Sequence, residues 1–342
     1  MRVTVIIVNY RAANLAVEAL RSVAAQRSSC PGLRAIVVDN ASPDNSAEQL
    51  AANLSTSEFN EWATFLPLAF NGGFGWGNNQ ALIHALNGTE PPDAVLLLNP
   101  DAQLEPGSMD ALVAALEQDE KLGAVGAQLV NTDGSLAGSA FRFPSILREW
   151  SRGHGVGPIN RLLGIRPILV PYETEGPVDW VTGACVLIRT ETLRQVGLFD
   201  TGFFLYFEEV ELMHRMGKAG WTICHAPSGR VVHIAGASTG VVDGKSAGMA
   251  CPPDYVFQSR RRYFALTGGR TAAFAASIAW MVGDAMRRLL GLVSASARSR
   301  APAAEWATVW RLGLRPSTAD ATPHIARWTD EPGEPPAWSI AR

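Results

Sequence analysis

The sequence predicts an α/β fold built on a mainly parallel central sheet, and three observations carry that prediction. Continuous β-rich runs, VTVIIVNY at 3–10 and AIVVDN at 35–40, read as strands covered on both faces. Segments with helical spacing alternate with the strands, the pattern of a layered α/β domain. Three strands also end in polar residues, Asn9-Tyr10, Asp39-Asn40 and Asn99-Pro100-Asp101. Those ends are where open α/β sheets bind ligands. Three unrelated turns would give no reason for Asp39 and Asp101 to fall at one edge.

The elements follow in order. After the first strand, Leu15, Ala19 and Val23 share one face of a helix over 14–26. The second strand gives way to the turn-like SPDNS and a helical EQLAANL, and 63–68 reads as a third strand. NGGFGWGNN (71–79) reads as a glycine-rich loop opening the helix QALIHAL. AVLLLNPD ends a further strand, and the helix over 107–119 carries Met109, Leu112, Val113 and Leu116 on one face with Ser108 as its cap. LVNTDGSLAG suggests a hairpin turning at Asp133-Gly134. Residues 141–175 read as a long excursion, 178–189 as renewed strand, Glu208, Glu209 and Glu211 as the start of a helix, and VVHIAGAS as a strand end. The expected divisions are 1–255 for the main domain, 256–300 for a helical segment and 301–342 for a Pro/Trp-rich tail.

Composition narrows the class. The chain has 342 residues, 47% hydrophobic and 18% charged, as in an ordered globular protein of one large or two ordinary domains. A net charge of -3 gives no electrostatic reason to bind nucleic acid. Cys30, Cys185, Cys224 and Cys251 form no C-x-x-C pair, which argues against a zinc site or disulfide framework and for a reducing cytoplasm. MRVTVIIVNY has too short and too β-branched an apolar run for a signal peptide. The glycine-rich stretch lacks the Gly-Lys-Ser/Thr ending of a P-loop. It also does not follow the first strand, where a dinucleotide-binding fingerprint belongs, which disfavours a dehydrogenase.

Taken together, VIIVNY, VVDNAS, NGGFGWGNNQA, LLLNPDA, VDWVTGACVLIR, VGLFDTGFFLYFEEVELMHR and HIAGAS resemble the family 2 glycosyltransferases, in particular the bacterial rhamnosyltransferase-like members that build surface polysaccharides. The resemblance runs over about 3–265 in the expected order. It implies the nucleotide-sugar-binding fold called GT-A, a divalent metal (Mg2+ or Mn2+), and inversion at the anomeric carbon. It further implies a dTDP- or UDP-linked donor and a glycan or polyprenyl-diphosphate-linked acceptor. Rhamnose is the first-choice sugar, with galactofuranose or a hexose as alternatives and a non-catalytic sugar-nucleotide-binding protein as the reading from a different class.

The resemblance assigns roles by position. Asp101 takes the place of the last carboxylate in the family's aspartate-x-aspartate signature and becomes the metal ligand, with His233 as a second metal or pyrophosphate contact. Asn99 stands at the signature's first position, where an amide is a weaker ligand and contacts the nucleotide or a metal-bound water instead. Asn9, Tyr10 and Asp39 frame the base or ribose, and Gly73, Phe74 and Asn78 lie on the donor side. Glu208-Glu209 occupies the family's Glu-Asp pair. Glu209 inherits the general-base role, one methylene longer than the usual Asp, with Glu208 beside it. Trp180, Gly183 and Glu211 are expected at the acceptor. Each has a structural alternative: turn or cap for the strand-end residues, packing for Trp180 and the glycines, and a helix-start charge for Glu211.

Beyond the domain, TAAFAASIAWMVGDAMRRLLGLV is interrupted by Asp284, Arg287 and Arg288 and is too charged for a clean span of about 20 residues. Phe274, Ile278, Met281 and Ala285 share a face, with Val282 and Leu289 adjacent. An in-plane amphipathic helix against anionic lipid fits this pattern, and so does a helix packed on the domain or on a second subunit. The first reading seats a cytoplasmic protein peripherally on the inner face of the cell membrane. The second leaves room for a homo-oligomer.

Overall fold

The structure is a computed structural model that describes residues 1–234, 251–293 and 303–340. The first half alternates β1 (Val3–Asn9), α1 (Ala13–Ala24), β2 (Arg34–Asp39), α2 (Ser46–Leu54), β3 (Ala63–Pro67), α3 (Gly73–Leu86) and β4 (Ala94–Leu98). Then follow β5 (Ala102–Leu104), α4 (Ser108–Glu117), β6 (Leu122–Val130), β7 (Ala140–Phe141), α5 (Ile146–His154) and α6 (Gly157–Leu162). The rest is β8 (Gly176–Val178), β9 (Trp180–Val181), β10 (Cys185–Arg189), α7 (Thr190–Val196), α8 (Glu208–Lys218), β11 (Thr222–His233) and α9 (Asp254–Val293).

The main sheet runs β3-β2-β1-β4-β10-β6-β11-β5, with β8 also on β11. The expected parallel block is β3-β2-β1-β4. Antiparallel β10 extends it, and β6 and β11 then run parallel to each other. Every residue of β1, β4 and β6 is buried, as expected of strands covered on both faces. One core lies under α1, α2 and α4, and a second lies under α3, α7 and α8.

Two local expectations change. The glycine-rich stretch is not a loop. Only Gly72 and Gly73 turn, and the helix begins at Gly73 itself. At Gly73 φ is +86°, and a Cβ would lie 1.8 Å from the Phe204 carbonyl oxygen. A Cβ at Gly77 would sit 2.9 Å from Val8, so that glycine lets α3 press onto β1. Ser108 does not cap α4. Its hydroxyl donates to the Arg230 carbonyl (2.7 Å) and accepts the Arg230 N–H (3.0 Å), pinning the helix to β11. The Asp133-Gly134 turn is present, closed by the Gly134 N–H on the Asn131 carbonyl.

The C-terminal helix packs on the domain, one of the placements expected for it. α9 bends at Gly269, whose φ is +78°. Its first part packs Tyr263 and Phe264 against Phe203. Its second part lies on α5, where a Cβ on Gly153 would meet the Trp280 carbonyl and a Cβ on Gly283 the Trp150 carbonyl. Met281 is buried, so it is not on the outer face expected for it; Phe274, Val282 and Leu289 are exposed. No helix among the described residues is long and apolar enough to cross a membrane. The tail returns to the domain: Leu198 N–H donates to the Ala326 carbonyl, and the Trp76 indole donates to the Glu334 carbonyl (2.7 Å).

Candidate active site

The stretch VLLLNPD is both a strand and a turn. β4 stops at Leu98, and the Ala102 N–H donates to the Asn99 carbonyl at 3.1 Å. Pro100 and Asp101 are therefore the two central residues of a β-turn, with proline at the position its fixed φ favours. The turn hands Asp101 to β5, which pairs with β11 so that Ala102 faces His233. The Ile234 N–H also donates to the Asp101 carbonyl. This backbone lattice brings Asp101 Oδ1 to 3.2 Å from His233 Nε2. The contact lacks hydrogen-bond geometry, and Asp101 Oδ1 is buried without a hydrogen-bond partner among the described residues. Asn99 Nδ2 lies 3.5 Å from the same imidazole nitrogen.

Two lone-pair donors converging at one buried point, one of them orphaned, fit a hard divalent cation. Mg2+ is commonly held by one or two protein ligands and completed by substrate phosphates and water. Among the described residues no group of three or more His, Cys, Asp or Glu could hold a metal alone, so the donor's phosphates would have to complete the shell. Gly236 and Ser238, expected beside the pyrophosphate, lie outside the described residues.

The second centre sits at the start of α8. Tyr206 and Phe207 both adopt left-handed backbone (φ +68° and +69°), a conformation costing about 1–3 kcal/mol per residue with a Cβ. Contacts on both sides hold this turn: the Phe204 carbonyl accepts the Phe74 N–H, and the Leu205 carbonyl accepts the Ser259 hydroxyl. The turn delivers Glu208 and Glu209 in different directions. Glu208 is buried toward α3, its Cγ 3.4 Å from where a Cβ on Gly75 would lie. Glu209 faces the segment before β10. A Cβ on Gly183 would lie 3.8 Å from Glu209 and 3.3 Å from the Phe74 ring. The Asn99 N–H donates to the Ala184 carbonyl, so this segment joins the two centres.

Neither glutamate has a compensating cation among the described residues. Oε2 of each is buried without a hydrogen-bond partner among the described residues. Burial pushes Glu209 up to about 7. Burial, then the neighbouring Glu209 charge, pushes Glu208 well above the carboxylate range.

Other expected site residues are placed differently. Asn9 Nδ2 donates to Asp39 Oδ1 (2.7 Å), and Ser42 binds both Asp39 oxygens through its hydroxyl and N–H. Asn9 Oδ1 accepts the Ala12 N–H, so these two side chains stiffen the strand-end turns, while Tyr10 is half-buried beside them. Asn78 is buried and donates to the Phe74 carbonyl of its own helix. Trp180 stacks on Phe141 at 4.3 Å and donates to the Arg142 carbonyl, as the packing alternative would have it. Glu211 is committed to Arg215 at 2.7 and 2.9 Å. No sequence signal singled out Asp200. It is fully buried and takes Arg262 on both oxygens and the N–H groups of Gly202 and His324, anchoring the segment that leads to Glu208.

A mixed sheet of this kind, carrying an Asp–His pair at one strand edge and unpaired glutamates on a helix, defines a GT-A glycosyltransferase fold. The solved structure of the mannosyltransferase PcManGT from Pyrobaculum calidifontis, in complex with GDP-Man and Mn2+, shares it with a TM-score of 0.52 at 18% identity, over 92% of this chain and 81% of that one. The family model described as Glycosyl transferase family 2 matches residues 4–170. It is 36% identical over 191 residues to the N-acetylglucosaminyl-diphospho-decaprenol L-rhamnosyltransferase of Mycobacterium tuberculosis, covering 51% of this chain and 60% of that protein. It is 26% identical over 168 residues to the rhamnosyltransferase WbbL of Escherichia coli, covering 48% of this chain and 61% of that protein. The chain thus spans about three fifths of the length of these two relatives.

Proposed function

We propose that the chain is an inverting glycosyltransferase that moves a sugar, rhamnose from dTDP-rhamnose as first choice, to a glycan or polyprenyl-diphosphate-linked acceptor in surface-polysaccharide synthesis. The observation that carries this reading is the pairing of an orphaned Asp101–His233 centre with an unneutralised Glu209 across the 182–184 segment. The likeness to two rhamnosyltransferases supports the choice of sugar, and the name of the mycobacterial relative supports the lipid-linked acceptor.

Asp101 and His233 would hold Mg2+ or Mn2+, with Asn99 within reach of its water shell. Bound there, the cation supplies positive charge against the negative charge that builds on the departing diphosphate. Tyr10, Gly73 and Phe74 lie against the donor nucleotide, and Asn9, Asp39 and Asn78 keep the walls of that pocket rigid. Glu209 takes the proton from the acceptor hydroxyl as its oxygen bonds to the anomeric carbon, on the face opposite the breaking bond to the diphosphate. A base whose pKa lies near neutrality both exists as carboxylate at working pH and retains driving force for the transfer. Glu208, pushed by burial well above the carboxylate range, stays protonated and sits beside Glu209 as a neutral neighbour.

The test is transfer from a panel of nucleotide sugars to lipid-linked GlcNAc, with and without manganese. Metal-dependent transfer from dTDP-rhamnose is the expected result. Transfer from another donor changes the sugar to galactofuranose or a hexose. Nucleotide binding with no turnover on any acceptor returns the chain to a binding protein.

A further inference from the structure

We infer that the outer face of the second part of α9, together with α6, is a seat for an anionic lipid surface. Phe274, Val282, Leu289 and Leu292 are 46, 54, 66 and 82% exposed, and Ile278 and Ala285 are half-buried between them. Their spacing of three, four, seven and eight residues places all six on one stripe. The opposite face carries the packing: Ala273, Ala276, Ser277, Trp280, Gly283 and Asp284 are buried. A helix that is packed on one side normally presents polar residues on the other. Here the outward stripe from 274 to 292, about 27 Å long at 1.5 Å per residue, contains no charged residue.

The charges are at its margin, and they are of one sign. Arg270 and Arg288 are eighteen residues apart, about five turns, so they flank the same edge of the stripe. Arg288 also pairs with the buried Asp284 of its own helix, and Arg270 donates to the Pro316 carbonyl. At the first end, Arg270, Phe274, Leu314 and Arg315 line an open cavity of about 590 Å³, with room for a lipid headgroup. At the far end, Arg287 donates to the His154 carbonyl, and α6 begins three residues after His154. That places the exposed Leu162 (86%) and Leu163 near the same end, with the exposed Arg161. An apolar strip edged by cations is the pattern of a helix lying in the plane of an anionic bilayer. Leu162, Leu163 and Arg161 extend that pattern to α6, outside the C-terminal segment. The inference is independent of the sugar and of the active-site chemistry.

Flotation of the full chain with vesicles of phosphatidylglycerol and phosphatidylcholine, and with pure phosphatidylcholine, tests it. Wild type should float with the anionic vesicles and lose at least tenfold in bound fraction with the neutral ones. The pair Leu289→Asp and Leu292→Asp should lose binding by a similar factor, with unchanged melting temperature and unchanged donor hydrolysis in solution. Arg270→Glu with Arg315→Glu should lose only the anionic preference. Equal flotation of wild type and the leucine pair would overturn the assignment. So would a wild-type dimer in sedimentation that the leucine pair makes monomeric without any lipid binding, because a second copy then covers the face.

Discussion

The edge of the sheet and the start of α8 both present carboxylates with one buried oxygen that has no hydrogen-bond partner among the described residues, but they reach that state by different routes. Asp101 is carried by a proline-stiffened turn and two strand pairings, and it faces an imidazole 3.2 Å away. Glu209 is carried by a strained aromatic turn and lies beside Gly183, in a place where burial raises its carboxyl to about 7. A carboxylate beside a second ligand is arranged to hold a cation. A carboxylate beside apolar surface is arranged to hold, and then release, a proton. The same functional group is thus specialised by what its backbone brings next to it.

The largest effect should come from removing the first centre. Asp101→Ala should abolish manganese-dependent binding of nucleoside diphosphate and lower turnover by roughly a thousandfold or more, since metal stabilisation of a leaving group is worth several kcal/mol. Calorimetry with and without metal reads it, and an unchanged metal dependence would remove Asp101 from that role. The second centre should break differently. Glu209→Gln should retain metal and donor binding yet lose transfer by about a hundred- to ten-thousandfold, the usual worth of a general base. Glu208→Gln should cost less, because its side chain lies against α3 at Gly75 whereas Glu209 lies beside Gly183. Rates at saturating donor separate the two; a dead Glu208→Gln with an active Glu209→Gln would exchange their roles.

Acid should sharpen the contrast. With Glu209 held near 7, kcat/KM should rise about tenfold per pH unit up to about pH 7 and then level, and Glu209→Gln should flatten that limb. Stability should move the other way. A carboxyl whose folded pKa is raised binds more protons folded than unfolded, so its contribution is fully present below the unfolded value near 4.5 and is lost as pH rises through about 7. Glu209→Gln should therefore be more stable than wild type at pH 8, by about 1–3 kcal/mol in denaturant titration, and equal to it at pH 4. The smallest effect belongs to Gly183→Ala, whose new methyl would meet the Phe74 ring at 3.3 Å. The ring must give a few tenths of an ångström, so a few-fold rise in KM with kcat nearly intact is expected, read in steady-state kinetics.

The strands, the parallel block and the strand-end position of Asp101 were legible in the residues alone. These depend on runs of β-branched residues and on turn chemistry within a few residues, which act before any long-range contact forms. The ordered motifs also pointed to the family that residues 4–170 match. Only the tertiary structure decided the partners. His233 meets Asp101 because β11 pairs with β5 across more than a hundred residues of chain. Arg262 holds Asp200 from another helix. Glu208 and Glu209, alike in sequence, differ because α8 starts from a turn whose left-handed residues no propensity favours. Nor does periodicity say which side of an amphipathic helix is covered. Gly153 against Gly283 turned Trp280 and Met281 inward on α9 and left Phe274, Val282, Leu289 and Leu292 outside. Local preference is written residue by residue, whereas the chemistry here depends on pairs of residues that meet only once the sheet and its helices have closed.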